Sequence, residues 1–165
     1  MRLELILAGV LLAAAAHAQA PADDPDWREA EAPPAPAFKL QGLIPLEIPG
    51  SSLRFGVDPA TISVGEDGVV RYVMVATSDT GVVNALYEGI RCGNGQYKLY
   101  ARHSPGRGWS ILKESEWRSV FAQPVSRHTL QIARGGACIG RAPNRSPAQI
   151  VRDLRTPLAN RYHIE

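Results

Sequence analysis

Residues 69–102 constrain the fold more than any other part of the chain. They hold three runs of β-branched and aromatic residues, a composition typical of strands. Residues 78–81 (SDTG) separate the first two runs, and residues 93–95 (GNG) separate the second from the third. Gly and Asn tolerate the positive φ that short hairpin loops often need. The stretch therefore predicts three consecutive antiparallel strands.

The first hairpin sets the pairing of the first two of these strands. If residues 78–81 form its loop, Tyr72 lies opposite Tyr87 and Arg71 lies opposite Glu88. Side chains alternate between the two faces of a strand, so this register sorts the residues into two sets. One set is almost wholly apolar and is expected to form the core. Its members are Val70, Tyr72, Met74, Ala76, Val83, Ala85, Tyr87, Gly89, Tyr97, Leu99 and Ala101.

The second hairpin completes the register. With a loop at residues 93–95, Tyr87 lies opposite Ala101 and Glu88 lies opposite Tyr100. The second face of the sheet then mixes apolar side chains with charged and polar ones. We expect a helix or a loop to cover half of such a face, leaving a polar strip beside the cover.

A candidate strip for a ligand or partner lies on this second face. It consists of Arg71, Glu88, Tyr100 and Arg102. The planar donors of an arginine guanidinium match a carboxylate, so the strip is suited to a small anionic ligand or to a carboxylate of a partner. The alternative is a cross-strand ion pair that only fixes the register and contributes less than about 1 kcal/mol.

The remaining segments predict more strands and one or two helices. Residues 43–48 indicate an edge strand because Pro45 interrupts them, and residues 53–57 indicate the next strand. Residues 114–121 predict a short helix, and residues 128–133 alternate like a final strand.

The C-terminal helix has a clear start signal. Ser146 is suited to the N-cap, Pro147 to the first helical position, and Gln149 follows three residues after the cap. Residues 156–157 (TP) end the helix.

The first 18 residues have the pattern of a signal peptide. Arg2 precedes an apolar run at residues 5–16, and residues 16–18 form an A-x-A cleavage motif. The run is shorter than the roughly 20 residues that a membrane-spanning helix requires. We therefore expect no transmembrane segment, a mature chain that begins at Gln19, and export to the periplasm, with surface exposure or secretion as alternatives.

The mature chain divides into three segments. Residues 19–40 are rich in Pro, Ala and acidic side chains and predict an extended leader. We expect residues 41–157 to form one β-rich domain and residues 158–165 to form a loose tail. Trp27 is the exception in the leader, because a large aromatic side chain usually packs against something. It packs either on its own domain or on a partner.

The two cysteines predict one disulfide. Cys92 and Cys138 are the complete set, an even count in a chain that we expect to be exported. Two free buried thiols are the alternative. A redox function is not indicated, because the chain has no C-x-x-C motif.

The second half of the chain is basic. Residues 19–88 hold 4 basic and 11 acidic side chains, whereas residues 89–165 hold 13 basic and 4 acidic ones. The arginines are scattered and lack the aromatic interleaving of a nucleic-acid platform, so no nucleic-acid partner is expected. An ordinary solvated surface is the first interpretation, and affinity for anionic lipid head groups or polyanions is the second.

No catalytic motif stands out. His103, His128 and His163 have no metal-ligand spacing, and no serine lies in a G-x-S-x-G motif. The glycines at residues 93–95 and 106–108 indicate turns, since neither group opens a helix. We therefore expect no enzyme, no metal site and no cofactor.

Several motifs carry a family resemblance. They are residues 57–59 (VDP), 63–65 (SVG), 67–72 (DGVVRY), 87–92 (YEGIRC), 100–101 (YA), Trp109, and 26–29 (DWRE) in the leader. Together they resemble the CNP1-like family of exported proteobacterial proteins. The resemblance implies export and a single β-rich domain, and it supplies neither an activity nor catalytic residues. A looser similarity in strand spacing and paired cysteines, to the surface-adhesin E type of small exported domain, suggests adhesion.

The sequence thus predicts an α+β domain. We expect a curved antiparallel meander of five to seven strands, one or two flanking helices, and a disulfide between Cys92 and Cys138. The expected function is a non-enzymatic periplasmic module that binds an unknown envelope protein or a small anionic ligand. Adhesion to host or matrix proteins and a small periplasmic enzyme are the alternatives.

Overall fold

An eight-stranded antiparallel sheet organises the residues that the computed structural model describes, which are 25–122 and 127–156. A two-stranded sheet and two α-helices accompany it within these ranges. The predicted α+β class is therefore confirmed. The predicted signal peptide at residues 1–18 and the predicted tail at residues 158–165 lie outside the described residues.

The strands of the main sheet follow one another in a meander. They are β1 (Ile44–Leu46), β2 (Arg54–Val57), β3 (Ser63–Val64), β4 (Val70–Thr77), β5 (Val83–Arg91), β6 (Gln96–Ser104), β7 (Gly108–Ile111) and β8 (Arg118–Ser119). The order across the sheet is β1-β2-β4-β5-β6-β7, while β3 pairs with β4 and β8 pairs with β6. These two short strands bring the number to eight, where the sequence predicts five to seven.

The predicted pairing of β4 with β5 is wrong by one residue. Tyr72 lies opposite Glu88, and Val73 lies opposite Tyr87. A shift of one residue moves every side chain of a strand to the other face. Tyr72 and Tyr87 therefore lie on opposite faces of the sheet, and the two sets of residues predicted from the sequence are wrong.

The loop between the two strands explains this shift. Thr77 pairs with Val83, so the loop spans residues 78–82 and is one residue longer than predicted. Within it, Ser78 Oγ accepts a hydrogen bond from the backbone N–H of Val82 at 3.0 Å. The serine side chain thus stabilises the five-residue loop.

A β-bulge shifts the register between β5 and β6. The predicted pair of Tyr87 with Ala101 is confirmed, but Glu88 lies opposite Leu99 rather than Tyr100. Tyr100 is the extra residue on β6. A bulge of this kind bends the strand and redirects the side chain of the unpaired residue.

The sheet is buried on both faces. On one face, which we call the helix side, the strands pack against the C-terminal helices; the fully buried members include Val70, Tyr72, Met74, Ile90, Ile132 and Ile150. On the other face, which we call the leader side, the strands pack against residues 35–43; its buried members are Val73, Val75, Ala85, Tyr87 and Ala101. Both faces of β4 are consequently buried.

The predictions for residues 114–121 and 128–133 are wrong. The first segment holds β8 rather than a helix. The second forms α1 (Arg127–Ile132), which continues through a wider π-type turn at Ala133–Ala137. Thr129, Ile132 and Ala133 are buried, and their spacing of three and four residues matches one face of a helix.

The C-terminal segment is tied to the sheet by a disulfide. Cys92 and Cys138 are bonded, with their Cα atoms 5.6 Å apart, as predicted. Cys138 opens β9 (Cys138–Ile139), which pairs with β10 (Ala142–Pro143). The bond therefore joins the end of β5 to the small sheet.

The last helix, α2 (Pro147–Arg155), starts as predicted. Ser146 Oγ accepts a hydrogen bond from the backbone N–H of Gln149 at 3.2 Å, which satisfies one of the unpaired donors of the first turn. Among the residues that the structure describes, no helix has the length and apolar character needed to cross a membrane.

Candidate functional site

Trp27 anchors the leader on the leader side of the sheet. Its indole Nε1–H donates to the backbone oxygen of Asp67 at 2.9 Å. The guanidinium of Arg91 lies 3.7 Å from the indole centroid, and Trp117 packs edge-on at 5.8 Å between ring centroids. Trp27 therefore packs on its own domain, which is the first of the two alternatives stated above.

Glu29 fixes the leader two residues further along. Its carboxylate accepts hydrogen bonds from Lys98 Nζ at 2.8 Å, Tyr100 Oη at 2.9 Å and Trp117 Nε1 at 3.1 Å. Three donors from the domain therefore already occupy this carboxylate, and a buried or half-buried polar group with such partners is satisfied. The cluster positions the leader and has little capacity left for a ligand.

Arg71 is buried beside this cluster. Its guanidinium pairs with Asp67 at 2.7 Å and lies 5.5 Å from the ring centroid of Tyr100. Burial raises the pKa of Asp67, but the hydrogen bond from Arg71, the backbone N–H groups of Val69 and Ala30 and the charge of Arg71 together outweigh it, so the pKa of Asp67 is lowered. Arg71 would have to leave this pair before it could bind a ligand.

The helix side holds a second buried carboxylate. Glu88 on β5 is 1% exposed. Tyr72 on β4 donates its hydroxyl to Glu88 Oε2 at 3.0 Å, and His128 Nε2 on α1 lies 3.0 Å from each of the two Glu88 oxygens. The ring of Phe55 on β2 lies parallel to the imidazole, with 6.1 Å between ring centroids. Four separate elements thus meet at this cluster.

The cluster favours a charged imidazole. Burial lowers the pKa of His128, but the charge of Glu88 and the hydrogen bond to it outweigh this, so the pKa of His128 is raised. Burial, followed by the charge of Glu88, raises the pKa of Tyr72 well above its ordinary value. Tyr72 therefore remains a hydroxyl donor, and the charge of Glu88 favours the protonated form of the His128 imidazole.

His128 lies at an open groove of about 570 Å³, which we call the His128 groove. Its lining residues are Ile48, Gly50, Ser51, Leu53, Phe55, Met74, Ala76, Asn84, Leu86, Arg127 and His128. The lining is thus mainly apolar, with two basic residues and no acidic one among the described residues. Arg127 Nη1 donates to the backbone oxygen of Pro49 at 2.8 Å, which ties α1 to the loop between β1 and β2 at the rim.

The structure divides the strip predicted from the sequence between the two faces. Arg71 and Tyr100 lie together on the leader side. Glu88 lies on the helix side with Tyr72 and His128. Arg102 is exposed and lies opposite Leu86, which also packs on the helix side. The one-residue shift between β4 and β5 separates Arg71 from Glu88, and the β-bulge at Tyr100 separates Tyr100 from Glu88.

Sequence reasoning missed His128 as a partner of Glu88. The available signal was Glu88 itself, an acidic residue within the apolar run of residues 85–90. Its partner lies forty residues away on a helix that the pattern predicts as a strand. Spacing along the chain therefore gives no indication of the pair.

A second cavity, of about 860 Å³, lies beside the disulfide. Its charged lining residues are Arg134 and Arg141, and both are exposed. Within the described ranges no buried ionisable side chain lines it, in contrast to His128 in the first groove. No three His, Cys, Asp or Glu side chains of residues 25–122 and 127–156 lie close enough together to hold a metal ion.

Comparison with known proteins gives one family. The sequence model of the CNP1-like family matches residues 22–155, a range that includes the leader, the main sheet and both helices. No curated protein and no solved structure shows significant similarity to the chain. Because the match covers far more than half of the sequence, the chain belongs to the CNP1-like family.

Proposed function

We propose that this protein is an exported, non-enzymatic binding module whose ligand site is the His128 groove. The observation that supports the proposal is the buried contact between Glu88 and His128 at this groove, with 3.0 Å between Glu88 Oε2 and His128 Nε2. The side chain of Glu88 is 2% exposed and that of His128 is 11% exposed. The carboxylate is thus enclosed, while the imidazole still reaches the groove.

A need for stability alone does not explain such a pair. Removing two charges from water costs free energy that their attraction only partly offsets, so apolar residues of equal volume often stabilise a fold as well. An imidazole held in one orientation beside an apolar groove, in contrast, provides a directed donor for a ligand. This combination favours binding over a purely structural function.

The disulfide supports the proposed compartment. Bonds of this kind persist in oxidising spaces such as the periplasm and are rare in the cytosol. The bond between Cys92 and Cys138 closes a loop of 46 residues in sequence separation. It agrees with the signal-peptide pattern at the start of the sequence.

Photo-crosslinking in the native envelope tests the proposal. Leu53 lines the groove and is 40% exposed, whereas Val82 is 48% exposed and lies in the loop between β4 and β5. A benzophenone amino acid at position 53 is expected to give a reproducible adduct, seen as one mass increase of the purified protein, that position 82 does not give. The same adducts at both positions, or none at position 53, would contradict the proposal.

An enzyme is the second candidate, and the same pair favours it. A carboxylate that holds an imidazole in a fixed orientation is also how many enzymes orient a general base. Turnover distinguishes the two functions. Hydrolysis of the ester p-nitrophenyl decanoate by the wild type and its loss in His128→Gln would favour an acyl-transfer enzyme, whereas equal rates of hydrolysis in the two proteins favour the binding module.

A further inference from the structure

The charge of the His128 groove restricts the kind of ligand that it suits. Its ionisable lining residues, Arg127 and His128, are both basic. The nearest carboxylate, Glu88, lies beneath the imidazole and is already bonded to Tyr72 and His128. A protonated His128 would repel a cationic ligand in the groove and attract an anionic one.

The imidazole of His128 provides the directed contact. Its Nε2 is engaged with Glu88, and no described residue forms a hydrogen bond with Nδ1. The charges and titratable groups around the ring are Glu88 on β5, Tyr72 on β4 and Tyr97 on β6 through Glu88, and Arg127 on α1, with the uncharged Phe55 on β2. In the imidazolium form both ring nitrogens are donors, so Nδ1–H can donate to a second carboxylate.

The apolar lining provides the remainder of the site. Phe55, Met74 and Leu86 form the sheet side of the groove, and Ile48 and Leu53 come from the connection between β1 and β2. Such a surface removes an aliphatic or aromatic body from water, which favours the binding of an apolar tail. Polar Ser51 and Asn84 are the exceptions.

The size of the groove favours a small molecule. Its volume of about 570 Å³ lies within the range of roughly 300 to 1,000 Å³ typical of small-molecule sites. A folded partner protein needs a much larger and flatter contact area.

We infer that the His128 groove binds a medium-chain monocarboxylate, with the carboxylate hydrogen-bonded to His128 Nδ1–H and the tail along Phe55 and Leu86. This inference rests on the proposed function, because it names the ligand class of the same groove. In the complex, the imidazolium lies between two carboxylates, that of Glu88 and that of the ligand. The raised pKa of His128 supports such an arrangement.

Calorimetric titration of the purified chain with three ten-carbon probes tests the inference. Decanoate, decan-1-ol and decyltrimethylammonium share the tail and differ in the charge of the head group. Decanoate is expected to bind at least about tenfold more tightly than decanol, in line with the greater strength of charge-assisted hydrogen bonds, and decyltrimethylammonium more weakly than both. Equal binding of decanoate and decanol, or no binding of decanoate, would overturn the inference.

Two variants connect the preference to the groove. His128→Gln should remove the advantage of decanoate over decanol. His103→Gln should leave this advantage unchanged, because His103 packs against Phe38 and Trp109 on the leader side. If His128→Gln fails to fold, Leu53→Glu serves instead, since Leu53 is exposed at the rim. The added carboxylate should weaken decanoate about tenfold and decanol by much less. A decanoate preference that survives in both variants would contradict the assignment.

A further probe distinguishes a small-molecule carboxylate from the C-terminal carboxylate of a protein chain. The same set of experiments separates a failure of this inference from a failure of the proposed function. A trileucine peptide with a free C-terminus carries the same chemistry on a protein chain. If it binds more tightly than decanoate while its C-terminal amide does not bind, the small-molecule assignment is wrong. If no probe binds but crosslinking at position 53 still gives its specific adduct, this inference fails and the proposed function stands.

Discussion

Nε2 of His128 lies 3.0 Å from both carboxylate oxygens of Glu88, although forty residues separate the two in the sequence. The pair joins β5, a central strand of the sheet, to α1, the helix that borders the groove. Tyr72 adds a third contact from β4. Glu88 on β5, which also accepts the hydroxyl of Tyr72 on β4, therefore fixes the orientation of the imidazole.

Glu88→Gln is expected to lower the free energy of unfolding by about 2 to 3 kcal/mol, because a buried partner loses its counter-charge while the side-chain volume is kept. Urea unfolding followed by tryptophan fluorescence measures the change. Glu47→Gln is the control, since Glu47 is exposed on the connection after β1, and it should change the stability by no more than about 0.5 kcal/mol. Equal effects of the two variants would show that the pair contributes nothing specific.

The pair also predicts how the stability depends on pH. The pKa of His128 is raised in the folded state, so the folded protein binds the proton more tightly than the unfolded chain. The resulting stabilisation is fully present below the ordinary pKa of 6.5 and is lost as pH rises through the higher folded pKa. The stability difference between wild type and His128→Gln should therefore shrink between pH 6 and pH 9. A difference that grows over this interval would refute the assignment.

Glu29→Gln is expected to loosen the leader. It weakens three charge-assisted hydrogen bonds, from Lys98, Tyr100 and Trp117, and should cost about 1 to 2 kcal/mol. Glu31→Gln is the matched control, because Glu31 is an exposed glutamate only two residues away. Tryptic cleavage after Arg28 should accelerate in Glu29→Gln alone. Unchanged cleavage in both variants would mean that the leader is fixed by other contacts.

Replacement of both cysteines by serine is expected to destabilise the fold by up to about 4 kcal/mol, as the chain-entropy model gives for a loop of this length. The bond between Cys92 and Cys138 spans 46 residues of sequence separation. Reduction of the wild-type protein should move its urea midpoint toward that of the double variant. A reduced protein with the oxidised midpoint would show that the bond does not stabilise the domain.

Part of the fold could be predicted because its signals are local. Ser146, Pro147 and Gln149 specify the start of α2 through one capping interaction. The disulfide follows from the count of cysteines once the compartment is assumed. The pairing of Tyr87 with Ala101, in contrast, does not follow from the predicted loop at residues 93–95, because Gln96 pairs with Arg91 and the bulge at Tyr100 then restores the predicted register.

The register of β4 could not be predicted, because both of its faces are buried. Tyr72 and Met74 pack on the helix side, and Val73 and Val75 pack on the leader side. A strand with two apolar faces has no alternation to reveal which residues share a side. The loop length then decides the register. The hydrogen bond from Val82 N–H to Ser78 Oγ stabilises a loop that is one residue longer than predicted, and no sequence pattern reveals this bond.

Only one of the two residues at the centre of the candidate site could be identified from the sequence. Glu88 was identifiable as an acidic residue in an apolar strand, a position where a partner is required. His128 was not, because α1 is only six residues long and its sequence alternates as a strand would. A partner brought close by tertiary packing alone has no fixed spacing from the residue it contacts.

The central claim is that Glu88 holds His128 as a charged donor at the groove, and a titration of the His128 ring by NMR tests it most directly. The account predicts an apparent pKa above the ordinary 6.5 in the wild type. It predicts a value at or below 6.5 in Glu88→Gln, where burial acts without the neighbouring charge. A wild-type pKa at or below 6.5, or the same pKa in both proteins, would contradict the account.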